Sequence, residues 1–280
     1  MPELAYINGR ILNIQDAQVP IEDRGYQFGD AVYEFITSYN GKMFYLEEHL
    51  DRLERSMHGL AFPPISRQEI KEAVGRIFDR AKYPRAGIYL QVSRGVAPRT
   101  HAFPEDCRPQ LIMTVRAIEE KPLLQRQNGV TAITVEDIRW GRCDLKTVQL
   151  LPNVLAKQKA IDAGVYDAVF VSDEKIVREA TSSNVFVVMD GIVVTHPLTS
   201  AILPGITRRI VLDLCRELGI LFEERFFQID EMLAADEVFL TGTTTEVLPL
   251  VEVDGKPIGN GKVGQVTNRL YAALREHAGA

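Results

Sequence analysis

Residues 184–195 read Asn-Val-Phe-Val-Val-Met-Asp-Gly-Ile-Val-Val-Thr, which is two short apolar segments separated by Asp190-Gly191. Valine, isoleucine and phenylalanine favour β-strands, and Asp-Gly accepts the positive φ angles that a two-residue hairpin turn requires. The stretch therefore predicts two strands, 184–189 and 192–195, joined as an antiparallel hairpin.

The residues around this hairpin predict further strands and three helices. Strands are expected near 167–171 and over Val130–Glu136 and Glu237–Leu240, where apolar and β-branched residues cluster. These strands outnumber those that a doubly wound fold would place between its helices, and no G-x-G-x-x-G motif follows a strand. A Rossmann dehydrogenase is therefore disfavoured. The predicted helices are Pro152–Ala163, Ile206–Leu218 and Lys262–His277.

The first half of the chain also mixes helices and strands. Asn8-Gly9 separates two short apolar segments, as a hairpin turn would. Apolar residues recur at three- and four-residue steps after Glu47 and again over Ile70–Ala81, which predicts two amphipathic helices. Gly87–Arg94 and Gln110–Arg116 are rich in β-branched and aromatic residues and predict strands. The first half is therefore expected to be α+β.

A polar segment separates the two halves. The run between Ala117 and Gly129 includes Glu119-Glu120-Lys121-Pro122, a composition typical of an interdomain linker. A chain of 280 residues is long enough for one large domain or two smaller ones. The linker predicts an N-terminal domain over 1–120 and a C-terminal domain over 121–280.

Composition restricts the class of protein. Thirty-two Lys and Arg residues against 38 Asp and Glu residues give a formal charge of −6, and no long basic run offers a footprint for nucleic acid. No stretch approaches the roughly 18 uncharged apolar residues of a membrane span, so neither nucleic acid nor membrane is expected as a partner. Cys107, Cys143 and Cys215 lack C-x-x-C spacing, so no metal site or disulfide framework is predicted and a cytoplasmic location is expected.

Four polar segments stand out as candidates for function. Arg139–Lys146 packs several cations and the only tryptophan of the chain between a strand and a helix, although a solvated turn with Trp140 in the core explains it too. Val177–Asn184 ends in small and hydroxyl residues and also fits a hydrogen-bonded turn. Leu203–Arg208 and Thr241–Glu246 contain glycine turns whose backbone N–H groups suit a phosphate, or simply begin a helix or loop.

In this order, and together with Asp23–Glu34 and Glu48–Leu53, the four segments resemble the fold-type IV pyridoxal-phosphate aminotransferases. The resemblance runs nearly end to end. It implies an α+β fold of two domains, a smaller N-terminal α/β domain and a larger C-terminal domain with a mostly antiparallel, barrel-like sheet and helices. The C-terminal domain would carry the lysine of the cofactor's Schiff base. The resemblance also implies a homodimer, with the active site between the two domains.

The resemblance assigns named residues to the cofactor, pyridoxal 5′-phosphate. Lys146 would form the internal Schiff base, for which only a primary amine serves, and would then move the substrate's Cα proton as general base and acid. Glu179 would face the pyridine nitrogen, where a negative charge favours the protonated ring. Arg52 would bind the phosphate, although its spacing from Glu48 fits a solvated helix pair equally well.

Other cofactor contacts follow from the same resemblance. Ser182 and Ser183 would contact the ring or support the residues that do. Backbone amides and hydroxyls elsewhere would complete the phosphate site. The positions concerned are Ile206, Thr207, Gly242 and Thr243.

Charge at the site is a separate expectation. The charged form of Lys146 is a poor nucleophile, so we expect Arg139, Arg142 or desolvation to disfavour that form. The cofactor phosphate and the substrates are anionic, which predicts a locally positive site in an acidic chain. Its cations would be Arg52, Arg99, Arg139, Arg142 and Lys146.

Tyr33, Arg99 and His101 are the residues that the resemblance assigns to the α-carboxylate of the substrate. Arg99-Thr100-His101 makes the chain most similar to the family members that act on D-amino acids. A plain alternative is that Arg99 is a solvent-facing cation and His101 a loop histidine.

The resemblance predicts an enzyme that transfers the amino group of D-alanine, D-glutamate or similar D-amino acids to a 2-oxo acid. The route would be ping-pong, through pyridoxamine phosphate. Three alternatives share the fold: a branched-chain L-amino acid aminotransferase, an R-selective amine transaminase and aminodeoxychorismate lyase. A catalytically silent binding protein on the same scaffold is an alternative from another class, and the presence of Lys146 and Glu179 argues against it.

Overall fold

The computed structural model of the chain describes residues 3–119 and 123–280. The described residues up to Glu119, together with Leu145–Gln149, form one compact unit, and the other described residues form a second. The predicted boundary at residues 120 and 121 lies outside the described residues. The sequence pattern predicts Lys146 in the C-terminal domain, whereas the structure groups Leu145–Gln149 with the first unit.

The first unit is built on a six-stranded antiparallel sheet with strand order β2-β1-β6-β5-β3-β4. Its strands are β1 (Leu4–Ile7), β2 (Arg10–Asn13), β3 (Ala31–Tyr39), β4 (Lys42–Met43), β5 (Ala86–Ser93) and β6 (Gln110–Ala117). Its helices are α1 (Arg24–Phe28), α2 (Leu46–Gly59) and α3 (Arg67–Ala81).

Helices α2 and α3 cover the sheet because each has one apolar face. Leu50 and Leu53 of α2, and Ile70 and Ile77 of α3, are buried in one core with the strands. The two amphipathic helices predicted from the sequence are thereby confirmed.

Strand β3 is the longest element of this unit that the sequence analysis does not predict. Glu34, Thr37 and Ser38 occupy buried positions along it. Polar residues at buried positions obscure the alternation by which a strand is recognised.

The segment Leu145–Gln149 lies along β3. The backbone N–H of Tyr33 donates to the carbonyl of Lys146 at 2.9 Å, and that of Val148 donates to the carbonyl of Ala31 at 3.1 Å. Leu145 is buried against Gly59, where a Cβ atom would come within 2.6 Å of the leucine side chain. These contacts explain why the segment belongs with the first unit.

The second unit contains a nine-stranded sheet, part of which closes on itself. Pairing runs β10-β13-β14-β7-β8-β9 and returns from β9 to β10, so six strands form a barrel. The β14–β7 and β7–β8 pairs are parallel and the other four are antiparallel, which confirms the mostly antiparallel, barrel-like sheet. The strands are β7 (Val130–Glu136), β8 (Asp167–Val171), β9 (Val177–Ala180), β10 (Asn184–Met189), β11 (Ile192–Thr195), β12 (Phe222–Glu224), β13 (Glu237–Gly242), β14 (Glu246–Val253) and β15 (Lys256–Pro257).

Helices complete the second unit: α4 (Leu123–Asn128), α5 (Leu151–Asp162), α6 (Ile206–Glu217), α7 (Ile229–Leu233) and α8 (Gln265–His277). The structure confirms the hairpin of β10 and β11, with Asp190 at φ 50° and Gly191 at φ 76°. In residues 3–119 and 123–280, every helix is too short or too polar to cross a lipid bilayer.

Candidate active site

Lys146 and Tyr33 lie together in the first unit. The ammonium nitrogen of Lys146 is 4.2 Å from the centroid of the Tyr33 ring, which itself stacks on Tyr89 at 5.5 Å. The backbone N–H of Lys146 donates to the hydroxyl of Ser56 at 3.1 Å, and that hydroxyl donates to the carbonyl of Arg52 at 2.9 Å. Bonds to both α2 and β3 thus fix the backbone that carries the lysine.

Arg52 is buried on α2 and forms a two-pronged ion pair with Glu34 of β3. Its Nε donates to one carboxylate oxygen at 2.7 Å and its Nη2 to the other at 2.8 Å. His49, one helical turn earlier, lies 2.7 Å from the same carboxylate through Nδ1. Arg52 is 3% exposed and Glu34 0%, so Arg52 is not the solvated helix residue of the plain alternative.

The protonation states of this cluster follow from its burial. Burial alone would raise the pKa of Glu34, but the charge and hydrogen bonds of Arg52, helped by His49, lower it from 4.5 to about 2. Burial lowers the pKa of His49 in spite of the nearby carboxylate, and the charges of Arg52 and Lys146 lower it further. At neutral pH a neutral His49 therefore donates from Nδ1 to an ionised Glu34.

Glu179 is the centre of a second group of polar residues, in the second unit. One of its carboxylate oxygens accepts a hydrogen bond from Arg139. The other accepts from the side-chain amide of Asn184 at 3.0 Å and from the backbone N–H of Leu203 at 3.1 Å. Glu179 is 7% exposed, so three directed donors hold a nearly buried carboxylate in place.

Arg139 and Arg142, which the sequence analysis expects to disfavour the charged form of Lys146, both form ion pairs with carboxylates. Arg139 pairs with Asp137 at 2.8 Å as well as with Glu179. Burial alone would lower the pKa of Arg139, but its hydrogen bonds to Asp137 and the charge of Glu179 raise it above its ordinary value. Arg142 is exposed and pairs with Asp144 at 2.9 Å. Carboxylates therefore compensate both positive charges.

Helix α6 begins at a bare backbone N-terminus suited to an anion. Gly205 is the N-cap and supplies no capping side chain, so the first backbone N–H groups of the helix, at Ile206 and Thr207, lack a capping partner. A Cβ atom on Gly205 would collide with the amide oxygen of Asn184. The glycine therefore lets α6 start against Asn184, one of the residues that hold Glu179.

The turn between β13 and β14 offers a second cradle. A Cβ atom on Gly242 would lie 3.2 Å from the hydroxyl of Ser183 and 3.4 Å from the carbonyl of Ser182. Ser183 is buried and hydrogen-bonds to Thr245 at 3.2 Å, Thr243 is half-buried and Ser182 is exposed. Within the described part of the chain, the buried hydroxyl of Thr241 has no hydrogen-bond partner. A tight turn with hydroxyl and N–H donors fits the phosphate of the expected cofactor.

Arg99 and His101 lie in the exposed loop between β5 and β6, and the structure brings them to one ring. The guanidinium carbon of Arg99 is 4.9 Å from the centroid of the Phe28 ring, and the imidazole of His101 is 5.6 Å from it. Both side chains are exposed in the single chain, as the solvent-facing alternative requires. Their common neighbour nevertheless makes them a pair.

Three polar residues of these groups carry no predicted role. Glu34 and His49 belong to the motifs quoted above, and Asn184 begins the strand β10. The sequence does contain a signal for Glu34. Residues two apart in a strand share a face, so Glu34 lies on the same buried face as Val32 and Ile36, where a carboxylate needs a cation. Asn184 carried no such signal, since most of its partners are distant in sequence.

Comparison with protein families matches residues 31–253 to the amino-transferase class IV family. A D-alanine aminotransferase of Bacillus licheniformis is 45% identical over 269 residues, covering 96% of this chain and 94% of the relative. A D-alanine aminotransferase of Staphylococcus epidermidis is 39% identical over 273 residues, covering 97% and 96%.

Two solved structures give the same picture of the fold. The branched-chain amino acid aminotransferase of Escherichia coli superposes with a TM-score of 0.92 at 26% identity, covering 99% of this chain and 94% of the other. The branched-chain amino acid aminotransferase of T.th., solved with pyridoxamine 5′-phosphate, has a TM-score of 0.91 at 26% identity, covering 98% and 93%.

The buried ion pair predicts a pH-dependent effect of Glu34→Gln. The variant leaves the buried Arg52 without its carboxylate, so its free energy of unfolding at neutral pH should fall by about 3–5 kcal/mol. The folded pKa of Glu34, about 2, lies below its ordinary 4.5. The stabilisation is therefore fully present above 4.5 and is lost as the pH falls toward 2. Urea unfolding across this range should show wild type and variant converging.

Glu47→Gln is the control, because Glu47 forms ion pairs on the surface of α2, the helix that carries Arg52. It should change the free energy of unfolding by less than about 1 kcal/mol. A difference between wild type and Glu34→Gln that stays constant down to about pH 2.5 would contradict the assignment.

Proposed function

This chain belongs to the class IV aminotransferases, and we propose that it transfers the amino group of D-amino acids such as D-alanine and D-glutamate to 2-oxo acids. The observation that carries the substrate class is the 45% identity to a D-alanine aminotransferase over 96% of the chain. The branched-chain enzymes share the fold at 26% identity, which favours them less as a guide to substrate. The enzyme uses pyridoxal 5′-phosphate.

When bound, the cofactor stabilises the electron pair that remains on the substrate's Cα after its proton leaves. Lys146 supplies the amine that holds the cofactor aldehyde covalently. Once the substrate has taken its place, the freed Nζ of Lys146 would take the proton from Cα as general base and would later give it back as general acid. The Tyr33 ring beside Nζ, and the bonds that hold the Lys146 backbone to α2 and β3, support this role by limiting where the amine can reach.

We assign Glu179 to the pyridine ring of the cofactor, which it would orient and keep protonated. Its carboxylate would accept a hydrogen bond from the pyridine N–H of the bound cofactor and so would keep the proton on that nitrogen. The support for this role is the set of donors from Arg139, Asn184 and Leu203, which stabilises the negative charge and fixes its position.

The phosphate is assigned to donors of two kinds. Arg52 offers a buried guanidinium whose planar fork Glu34 orients. The backbone N–H groups that begin α6 and the turn after β13 bring dipoles rather than charges. The residues of this second kind are Ile206, Thr207, Gly242 and Thr243, with Ser182 and Ser183 beside them.

Tyr33, Arg99 and His101 are assigned to the α-carboxylate of the substrate. A guanidinium suits a carboxylate because it offers parallel N–H donors, and the imidazole adds one more. Holding the carboxylate on one side decides which face of Cα meets Lys146, and hence which enantiomer reacts. An enzyme for simple R-amines has no use for this pair, so the pair favours amino acids.

Self-association is also part of the proposal. Leu151, Val154 and Leu155 share one face of α5 and are 68%, 59% and 50% exposed. Three large apolar side chains in contact with water on adjacent helical turns are typical of an interface, and a second copy of the chain is the expected partner. A cytoplasmic location is proposed as well, with the three unpaired thiols in its support.

Lys146→Ala should abolish catalysis and covalent attachment of the cofactor. Wild-type protein incubated with pyridoxal phosphate should be yellow, and borohydride should fix the cofactor on the peptide that contains Lys146, as read by mass spectrometry. Because the variant lacks the amine that moves the proton, D-alanine turnover should fall by at least about 10²–10⁴-fold. The exposed Lys256→Ala should behave as wild type. Attachment to another lysine would refute the assignment.

Arg99→Ala should impair the reaction of amino acids selectively. Losing a charge-assisted contact to the carboxylate should lower kcat/KM for D-alanine by about 10- to 100-fold. The half-reaction of an R-configured amine without a carboxylate, followed in the absence of a 2-oxo acid by the loss of the yellow colour, should change by less than about threefold. Arg108→Ala, an exposed arginine of the same loop, is the control. Equal losses on both substrates would exclude a carboxylate role.

Leu155→Glu should disrupt self-association. In size-exclusion chromatography with light scattering, wild type should have about twice the 31.4 kDa mass of one chain. A charge in the apolar face should shift the variant toward the monomer, because the carboxylate would lose its hydration in the interface. Lys256→Glu, an exposed residue outside α5, should leave the mass unchanged. A monomeric wild type would disprove the dimer.

A further inference from the structure

We propose that Arg24 and Phe28 of α1 are positioning residues for substrate binding, which hold the loop between β5 and β6 so that Arg99 and His101 face one carboxylate. The proposal rests on the proposed function for the identity of that carboxylate. The loop's attachment to α1 stands on the contacts of this chain alone.

Arg24 binds the backbone of the loop directly. Its Nη1 donates to the carbonyl of Thr100 at 2.7 Å and to that of Ala102 at 3.3 Å, and its Nη2 reaches the carbonyl of His101 at 3.5 Å. Arg24 is 3% exposed, whereas the side chains of the loop segment it binds are exposed. One buried guanidinium therefore fixes three consecutive carbonyl groups, those of Thr100, His101 and Ala102.

Asp30 orients this guanidinium and links it to a second one. The carboxylate of Asp30 accepts from Nε of Arg24 at 2.9 Å and from Nε of Arg94 at 2.8 Å. Arg94 also donates to the carbonyls that follow α2 and lies 3.7 Å from the centroid of the Phe103 ring in the same loop. Both ends of the Arg99–His101 segment are thus tied to the body of the first unit.

Phe28 contacts the side chains of Arg99 and His101, whereas Arg24 binds the backbone of the loop. Its ring lies 4.8 Å from the guanidinium carbon of Arg24, 4.9 Å from that of Arg99 and 5.6 Å from the imidazole of His101. Cations favour the face of an aromatic ring, so the ring restricts the rotamers of both exposed side chains to one side of the loop. Arg99 and His101 are then held next to each other before a ligand arrives.

This arrangement lowers the entropy cost of binding a carboxylate. An exposed arginine ordinarily loses rotamer freedom when it binds, and an unanchored loop loses more. Anchors at the backbone and at the side chains remove much of that loss in advance. Their effect should appear in KM for substrates with an α-carboxylate, and should leave the proton transfer at Lys146 and substrates without a carboxylate largely unchanged.

The first experiment compares holoenzyme of wild type, Arg24→Met and the control Arg85→Met. Arg85 is a partly buried arginine of the same unit that lies over Tyr39 and not over the loop. In Arg24→Met, KM for D-alanine should rise about tenfold with kcat within about threefold, since a few hydrogen bonds to a charged group are lost. The half-reaction of a carboxylate-free R-amine, measured without a 2-oxo acid, and the colour of the bound cofactor should match the control.

Tryptic cleavage after Arg99 is the second readout, and it needs no catalysis. Freed carbonyls should let the loop open, so cleavage should be at least about tenfold faster in Arg24→Met than in Arg85→Met at equal stability. If wild type turns over no D-amino acid, the proposed function fails while this readout still decides whether Arg24 holds the loop. Faster cleavage with an unchanged KM would overturn the role in substrate binding, and unchanged cleavage would overturn the anchoring.

Phe28→Leu keeps the proposal falsifiable if Arg24→Met does not fold. Leucine preserves apolar bulk but removes the ring against which Arg99 and His101 lie, while the carbonyl contacts of Arg24 remain. KM for D-alanine should rise about threefold to tenfold, with cleavage after Arg99 changed less than about threefold. An unaltered KM would remove Phe28 from the proposal, and equal losses with the R-amine would reduce both residues to a structural role.

Discussion

On strand β3 of the first sheet, Glu34 has no exposure to solvent and contacts the guanidinium of Arg52 and the imidazole of His49, two residues three positions apart on α2. A buried carboxylate without a cation would cost several kcal/mol, so α2 can pack on β3 only in the register that brings Arg52 to it. The carbonyl of Arg52 then receives the Ser56 hydroxyl, to which the backbone of Lys146 donates. The position of Lys146 therefore depends on the position of the ion pair between Glu34 and Arg52.

In the second unit, Asn184 fixes the positions of its neighbours, through its shape as well as through its hydrogen bonds. Its amide nitrogen donates to Glu179 and to the carbonyl of Leu203, and its oxygen fills the space that a side chain on Gly205 would need. The start of α6 is therefore fixed relative to Glu179. A helix N-terminus is useful for a phosphate only when its direction is set, and a rigid amide between the two groups sets it.

What the sequence predicts well is local in origin. The Asp190-Gly191 hairpin and the helices α2, α3 and α6 depend on turn chemistry and on apolar periodicity, which act within a few residues. Strands β3 and β9 escape prediction because their polar residues, such as Glu34 and Glu179, make sense only beside partners far along the chain. The resemblance to a family supplied the principal site residues, whereas Glu34, Asn184 and Arg24 acquire roles only once their partners are known.

The charges of the candidate site show why an acidic chain can bind anions. The sequence predicts a locally positive site, and cations without nearby carboxylates would repel one another and would attract any anion. Instead Arg52 faces Glu34, Arg139 faces Asp137 and Glu179, and Arg24 and Arg94 share Asp30. Each carboxylate fixes the direction of a guanidinium fork while cancelling much of its long-range field. In the proposed site, recognition would then depend on oriented N–H donors and on the N-terminus of α6 at short range, which distinguish the shapes of a phosphate and a carboxylate as a diffuse positive potential would not.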